Sequence, residues 1–445
     1  MNHWATESVF YHIYPLGLCG APRENDFHSE PVNRLERVKE MIPYLEEMGI
    51  NAVYIGPHFE SKQHGYDTVD YFKVDRRLGT NQLLREVVEY LHNAGIHVIF
   101  DAVFNHVGRD FGLFQDVKQN REASQYKHWF KGLDFSGSNP CNDGFDYETW
   151  DGHYELVKLD LTQQDVRNYI LSVADQWIRE FDIDGLRLDA ADVMDKSFLA
   201  QLTDFTKAKK EDFWMVGEVV HGDYSQWIQH GKLDSVTNYE CYKGLYSSHN
   251  DKNFHEIAYS LKRQFGEGGI YQDFPLYNFV DNHDVDRVAS TLTEEHSLYT
   301  LYGLLFTIPG VPSIYYGSEW GIQGKRDNWG DSQLRPSIDP EQLRKAADNS
   351  DLFNEIKRLI ELRLKTLPLL IGSYREILVE QTAIVFERKW DNETVIVAVN
   401  AGGEKTSLAA DQKYSQRFDI LNNEDLGAGS EIEVYPHWLR ILKVS

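Results

Sequence analysis

Asn33–Phe59 reads NRLERVKEMIPYLEEMGINAVYIGPHF. Leu35, Val38, Met41, Ile42, Leu45 and Met48 recur at the spacing of one helix face. Directly after them, Ala52–Phe59 is a short β-branched and aromatic run, which reads as a buried strand. The same alternation continues along the chain. Further runs are Val9–Pro15, His97–His106, Gly185–Ala190, Phe213–Val219, Ser235–Glu240, Tyr277–Asp284 and Ser313–Gly317. Amphipathic segments such as Asn81–Ala94, Gln164–Phe181 and Lys196–Lys210 lie between them. Strand alternating with helix predicts a parallel sheet. Eight such units point to a closed (β/α)8 TIM barrel, with an open doubly wound sheet as the alternative.

Two interruptions divide the chain. After the third run, Val107–Thr162 is rich in Gly, Asn, Asp and aromatics. A structureless loop of that length is uncommon in a compact domain, so an inserted subdomain is expected there. After Leu367 the helical period stops. Glu376–Lys389 and Glu393–Asn400 read as strands joined by the turn signal Trp390-Asp391-Asn392. The expected division is therefore a barrel over 1–106 and 163–367, an inserted subdomain over 107–162 and a C-terminal antiparallel β-sandwich over 368–445.

Composition narrows the ligand. The formal net charge of −25 disfavours nucleic acid and anionic membrane surfaces. No apolar run reaches the roughly 18 residues of a membrane helix. The 10 Trp, 25 Tyr and 23 Phe suit sugar faces, and equally a rich aromatic core. Cys19, Cys141 and Cys241 are far apart and form no CxxC pair, so neither a disulfide framework nor a zinc site is expected. The opening MNHWATESVFYHIYP has neither the basic nor the apolar region of a signal peptide, and the expectation is a cytoplasmic protein.

In such a barrel the site lies at the carboxyl ends of the strands. The third run ends in Asp101-Ala102-Val103-Phe104-Asn105-His106, and the fourth contains Arg187-Leu188-Asp189. The fifth ends in Gly217-Glu218, and the seventh in Asp281-Asn282-His283-Asp284. A single Asp at a strand end is most often a cap or loop contact. Three convergent acids beside an arginine are costly without a function, because like charges in a partly desolvated pocket repel. Two carboxylates across one bond suit glycoside hydrolysis. Phosphoryl transfer would want GxxxxGK[ST] and a nicotinamide enzyme GxGxxG after the first strand, and neither is present; a two-metal hydrolase is disfavoured because no HExxH occurs and the His residues are scattered.

DAVFNH at Asp101–His106, GLRLDA at Gly185–Ala190, Gly217-Glu218-Val219 and FVDNHD at Phe279–Asp284 resemble, in order, the four signature regions of the α-amylase family, glycoside hydrolase family 13. GVPSIYYGSE at Gly310–Glu319 is similar to a further segment around its eighth strand. The resemblance implies a retaining enzyme acting on α-1,4-glucosidic bonds of maltodextrins, starch fragments or cyclodextrins. It implies Asp189 as nucleophile, Glu218 as acid and base, and Asp284 as transition-state stabiliser. It also implies Tyr66, His106, Arg187, His283 and Arg287 as substrate-binding residues. A transglycosylase or isomerase using the same covalent intermediate is the alternative.

QHGYDTVDY at Gln63–Tyr71, WIREFDIDGLRLD at Trp177–Asp189 and GEVVH at Gly217–His221 look most like the cyclomaltodextrinase, neopullulanase and maltogenic amylase branch. That branch carries an N-terminal β domain used in dimerisation, whereas here the first barrel run starts at Val9. Oligomeric state is thus left open. The family resemblance also makes calcium possible without being required, with Asn105 as a ligand and Asp134, Asp143 and Asp146 as candidate oxygen donors.

Overall fold

The computed structural model describes residues 3–327, 330–341 and 350–445. Residues 328–329 and 342–349 of the expected barrel segment lie outside the described residues. The parallel strands are β1 (Phe10–Ile13), β2 (Ala52–Ile55), β3 (His97–Ala102), β4 (Gly185–Leu188), β5 (Trp214–Gly217), β6 (Ser235–Val236), β7 (Tyr277–Phe279) and β8 (Val311–Tyr315). They form one sheet in the order β6-β5-β4-β3-β2-β1-β8-β7. A parallel bridge from Thr237 to Tyr277 joins its two edges and makes it a barrel.

Alternation along the strands sorts side chains between two cores. Phe10, Ala52, Tyr54, Ile99, Trp214, Val216, Phe279 and Val311 fill the interior. Tyr11, Val53, Val98, Phe100, Leu186 and Met215 point outward, into the layer covered by helices. The helix Glu36–Met48 buries Val38, Met41, Ile42, Leu45 and Met48. It stops at Gly49, whose φ of 82° is the left-handed conformation of a helix end.

The strand ends differ from the reading of the sequence. The second run breaks at Gly56-Pro57, because proline cannot donate to a sheet ladder. Phe59–Ser61 then pairs antiparallel with Thr68–Val74 in a separate hairpin, which carries Tyr66 at its tip. The sixth and seventh runs shrink to short strands, and their polar ends become loops over the barrel mouth.

After β3, His106–Gly108 pairs with His153–Lys158, which also pairs with Thr149–Trp150. The helix Gly112–Asn120 packs beside this small sheet through Phe114 and Val117.

Beyond the helix Asp351–Lys365, the strands Ser373–Val379, Ala383–Trp390, Glu393–Asn400 and Trp438–Val444 form an antiparallel sheet. Val385, Ile396 and Ala398 face Leu408, Ile432 and Val434 of a second, two-stranded sheet. The intervening residues Ile384, Phe386, Val395 and Val397 join the barrel's outer core. There Leu439 presses on the helix Ser297–Thr307 at Gly303, where a Cβ would stand 2.5 Å from Leu439 Cδ1. Arg363 and Arg388, both fully buried, donate to the carbonyls at that helix's C-terminus. Arg363 reaches Phe306 and Ile308, and Arg388 reaches Thr307.

Candidate active site

Arg187 and Asp189 are two residues apart and share a face, so both point to the barrel axis. Asp189 extends the ladder past β4, its N–H donating to Ala102 O at 3.1 Å. Glu218 does the same past β5, donating to Leu188 O at 2.9 Å. One guanidinium then gathers the acids. Arg187 Nη1 donates to Asp189 Oδ1 and Asp101 Oδ1, each at 2.9 Å. Its Nη2 lies 2.6 Å from Glu218 Oε1. Ala190 has a left-handed φ of 48°, and its N–H donates to Glu218 Oε2 at 3.0 Å. Backbone strain at a residue other than glycine is therefore held between the two carboxylates.

Asp284 approaches from β7. His283 Nε2 is 2.8 Å and Arg335 Nη2 2.9 Å from its carboxylate. The Arg335 guanidinium covers the Tyr14 ring at 4.7 Å. Asp189, Glu218 and Asp284 line one cleft of about 930 Å³ together with Tyr66, His106, Trp150, Tyr239 and Arg335. That volume suits an oligosaccharide segment.

Electrostatics follow from burial. Desolvation pushes the Asp189 and Glu218 carboxyls up, against the pull of Arg187. For Asp284 burial acts the same way, but His283, Arg335 and Arg187 outweigh it and hold the group well below the usual carboxylate range. His106 is pushed down to about 3 by burial, with a contribution from His64, and is neutral near pH 7. Its Nε2, 3.9 Å from Asp189 Oδ2, is buried with no hydrogen-bond partner and faces the cleft. A sugar hydroxyl there would satisfy it.

The expected residues divide into groups. Tyr66 and His106 line the cleft. Arg187 and His283 are buried behind the lining and touch its carboxylates, while the Tyr66 ring lies parallel to His283 at 5.2 Å. Arg287 is a correction. It is fully buried, and its guanidinium donates to Tyr316 O, Leu334 O and Ser318 Oγ instead of reaching the cleft. It ties the loop after β8 to the segment after β7. Arg287→Met orphans those acceptors and is expected to lower stability by roughly 3–5 kcal/mol. Calorimetry checks this; an unchanged Tm with a raised KM would return Arg287 to sugar binding.

Calcium does not fit the arrangement around Asn105. The Asn105 amide contacts His106 Nδ1 at 3.2 Å. Both Asp143 oxygens are 2.7 Å from Arg109 nitrogens, and Asn139 donates to the same carboxylate. Asp134 accepts from Ser136, and Asp146 from Tyr147 and Tyr154. Among the described residues no His, Cys, Asp and Glu side chains cluster to hold a metal ion. A fixed guanidinium occupies the acid that a cation would need.

Sequence reasoning did not single out Trp150, Tyr239 or Arg335, which also line the cleft. Tyr239 lies 3.4 Å from Glu218 Oε1 through its hydroxyl, which also accepts from Asn282 at 3.2 Å. It stands one residue before the end of the sixth run, so the strand-end rule could have found it. Arg335 comes from a loop after β8, and nothing in Gln333-Leu334-Arg335-Pro336 marks it.

Comparison with known proteins agrees with this geometry. Residues 25–357 match the family described as alpha amylase, catalytic domain. The chain is 30% identical to a cyclomaltodextrinase of Thermoanaerobacter pseudethanolicus, over 99% of this chain and 78% of that protein. It is 29% identical to an intracellular maltogenic amylase of Bacillus subtilis, over 90% and 69% of the two chains. A solved cyclic α-maltosyl-(1→6)-maltose hydrolase of Arthrobacter globiformis superposes with a TM-score of 0.82 at 25% identity, over 99% of both chains. The eight-stranded barrel, its C-terminal β domain and this matched span have one conclusion: the chain belongs to the α-amylase family, glycoside hydrolase family 13.

Proposed function

We propose that the protein is a retaining hydrolase of α-1,4-glucosidic bonds in maltodextrins and cyclodextrins. The observation that carries this is the pairing of Asp189 and Glu218 on one guanidinium, with Asp284 beside them in the same cleft. A guanidinium shared by the two carboxyls fits the closely spaced pair that double displacement uses.

In the first step Glu218 gives its proton to the glycosidic oxygen as Asp189 attacks the anomeric carbon. The bond to the leaving sugar breaks and a β-linked glycosyl ester forms. Glu218, now ionised, takes a proton from water, and the resulting oxygen displaces Asp189 to give an α-configured product. Asp284 stays ionised near the oxocarbenium-like transition state and stabilises its positive charge. Interception of the ester by a second sugar instead of water would make the same site a transglycosylase.

Proton NMR of maltotriose cleavage tests the reading. The first product anomer is expected to be α, before mutarotation. An initial β product would rule out the two-step route, and oligosaccharides longer than maltotriose from the outset would favour transfer.

The relatives named cyclomaltodextrinase and intracellular maltogenic amylase support this substrate class and a cytoplasmic setting. The three unpaired cysteines are consistent with a reducing compartment. Among the described residues no helix is long and apolar enough to cross a membrane.

A further inference from the structure

Trp227 is buried and does not line the cleft, yet it holds the segments that follow both proposed catalytic carboxylates. It lies in Gln226–His230, a single turn of π-helix between β5 and β6. Such turns are rare and often occur at functional sites. The indole Nε1–H donates to Ala191 O at 2.9 Å, a carbonyl that also accepts from Met194 N–H at 3.3 Å. Lys196 Nζ lies 4.8 Å from the centre of the same ring. The far edge of the indole meets Gly222. A Cβ there would stand 3.3 Å from Trp227 Cη2, and the φ of 106° is one that side chains avoid. Ala191 comes two residues after Asp189, and Gly222 four residues after Glu218. One side chain therefore braces both segments.

The brace matters because of the turn it adjoins. Ala190 is held at φ 48° and ψ 37°, a left-handed conformation that is unfavourable for alanine. In that form its N–H meets Glu218 Oε2 at 3.0 Å, and the N–H of Asp192 meets Glu218 O at 3.2 Å. An alanine free to relax would return to the right-handed region and turn its N–H away from the acid. Anchoring Ala191 O fixes the chain one residue beyond the strained turn. Gly217 completes the fit from the other side, since a Cβ at this position would stand 3.0 Å from the Ala191 Cβ.

We propose that Trp227 is a positioning residue for the reaction. By pinning Ala191 it keeps the turn after the nucleophile left-handed, and so keeps the Ala190 N–H on the acid. The proposal rests on the roles given to Asp189 and Glu218 in the hydrolase reading.

Trp227→Phe keeps an aromatic ring and removes the donor. On maltotriose, kcat is expected to fall roughly tenfold while KM stays within about twofold. Arg187, Asp189, His283 and Asp284 act on the Glu218 carboxyl, the Tyr239 hydroxyl lies against it, and all five remain in the variant. Loss of the Ala190 N–H removes a donor that favours the ionised acid, so the basic limb is expected to move to higher pH. In an Ala190→Gly background the same Trp227→Phe change is expected to cost less than about threefold relative to that background, because glycine holds a positive φ without strain. Equal losses in the two backgrounds overturn the proposal. So do an unchanged kcat and basic limb, with or without a lowered Tm. Trp227→benzothienylalanine keeps the ring shape and replaces the N–H by sulfur, and it gives the same readouts if the Phe variant does not fold. A wild type that leaves maltotriose uncut sinks the hydrolase reading separately. Carbon-13 NMR titration of the Glu218 carboxyl, assigned by its loss in Glu218→Gln, then decides: a raised titration in the Trp227 variant supports the brace, and an equal one overturns it.

Discussion

Asp189→Gly should reduce turnover of maltodextrins by at least about 10⁴-fold while leaving the fold intact. In the proposed mechanism this carboxylate forms the covalent ester, and Arg187 holds it beside Glu218 in the cleft. Glycine also removes a buried acid that desolvation already disfavours in its charged form, so little folding free energy is expected to be lost. The vacated space beside Arg187 makes a sharper test. Azide supplied in solution can enter it and attack the anomeric carbon of an α-maltosyl fluoride. One displacement instead of two gives a β-linked azide. Rescue by azide with inverted product is the expected result. An Asp189→Gly variant that still hydrolyses maltotriose near the wild-type rate would remove Asp189 from the mechanism.

Glu218→Gln has a different signature. Loss of the general acid is expected to cost about 10²–10⁴-fold on maltotriose, whose leaving oxygen needs a proton. α-Maltosyl fluoride leaves without one, so its first step should be nearly unaffected, and the missing base should slow only breakdown of the ester. The pH profile follows from the sign of the shift. Burial raises the Glu218 carboxyl above its ordinary value, and Asp284 adds to this while Arg187 opposes it. Activity needs the protonated acid, so it is present below the raised value and lost as pH climbs through it. The wild-type basic limb on maltotriose is expected above the range of a free glutamate, about 4.3. In the Glu218→Gln variant that limb should vanish when ester formation from the fluoride is followed. A variant whose two substrates fall equally would mean that Glu218 positions the sugar and does not move the proton.

Much of this site is legible in the sequence because a barrel converts chain position into spatial position. Asp189, Glu218 and Asp284 lie far apart in the chain, yet each follows a parallel strand at the same end. Asn33–Phe59 already contains the repeating unit. The strand-end rule fails where side chains leave the expected direction. Arg287 is three residues past Asp284, but the backbone turns at this point, and the carbonyls of Tyr316 and Leu334 draw its guanidinium inward. Arg335 takes a place at Asp284 that no local pattern foretells, because a loop after β8 delivers it. The candidate calcium donors show a related limit. Sequence shows acids but not their partners, and Arg109 had already claimed Asp143.

The buried arginines under the C-terminal sheet bear on how the molecule is made. Thr307 ends the helix that leads into β8, and its carbonyl is matched by Arg388, a side chain synthesised 81 residues later. Synthesis runs from the N-terminus, and domains ordinarily fold as they emerge. Here the emerged barrel would hold an unmatched carbonyl at the negative end of a buried helix dipole until the β-sheet arrives. Barrel and sheet are thus expected to consolidate in one late event. The β domain belongs to the last step of barrel assembly, and a shortened enzyme ending near Leu367 would be an unfinished one.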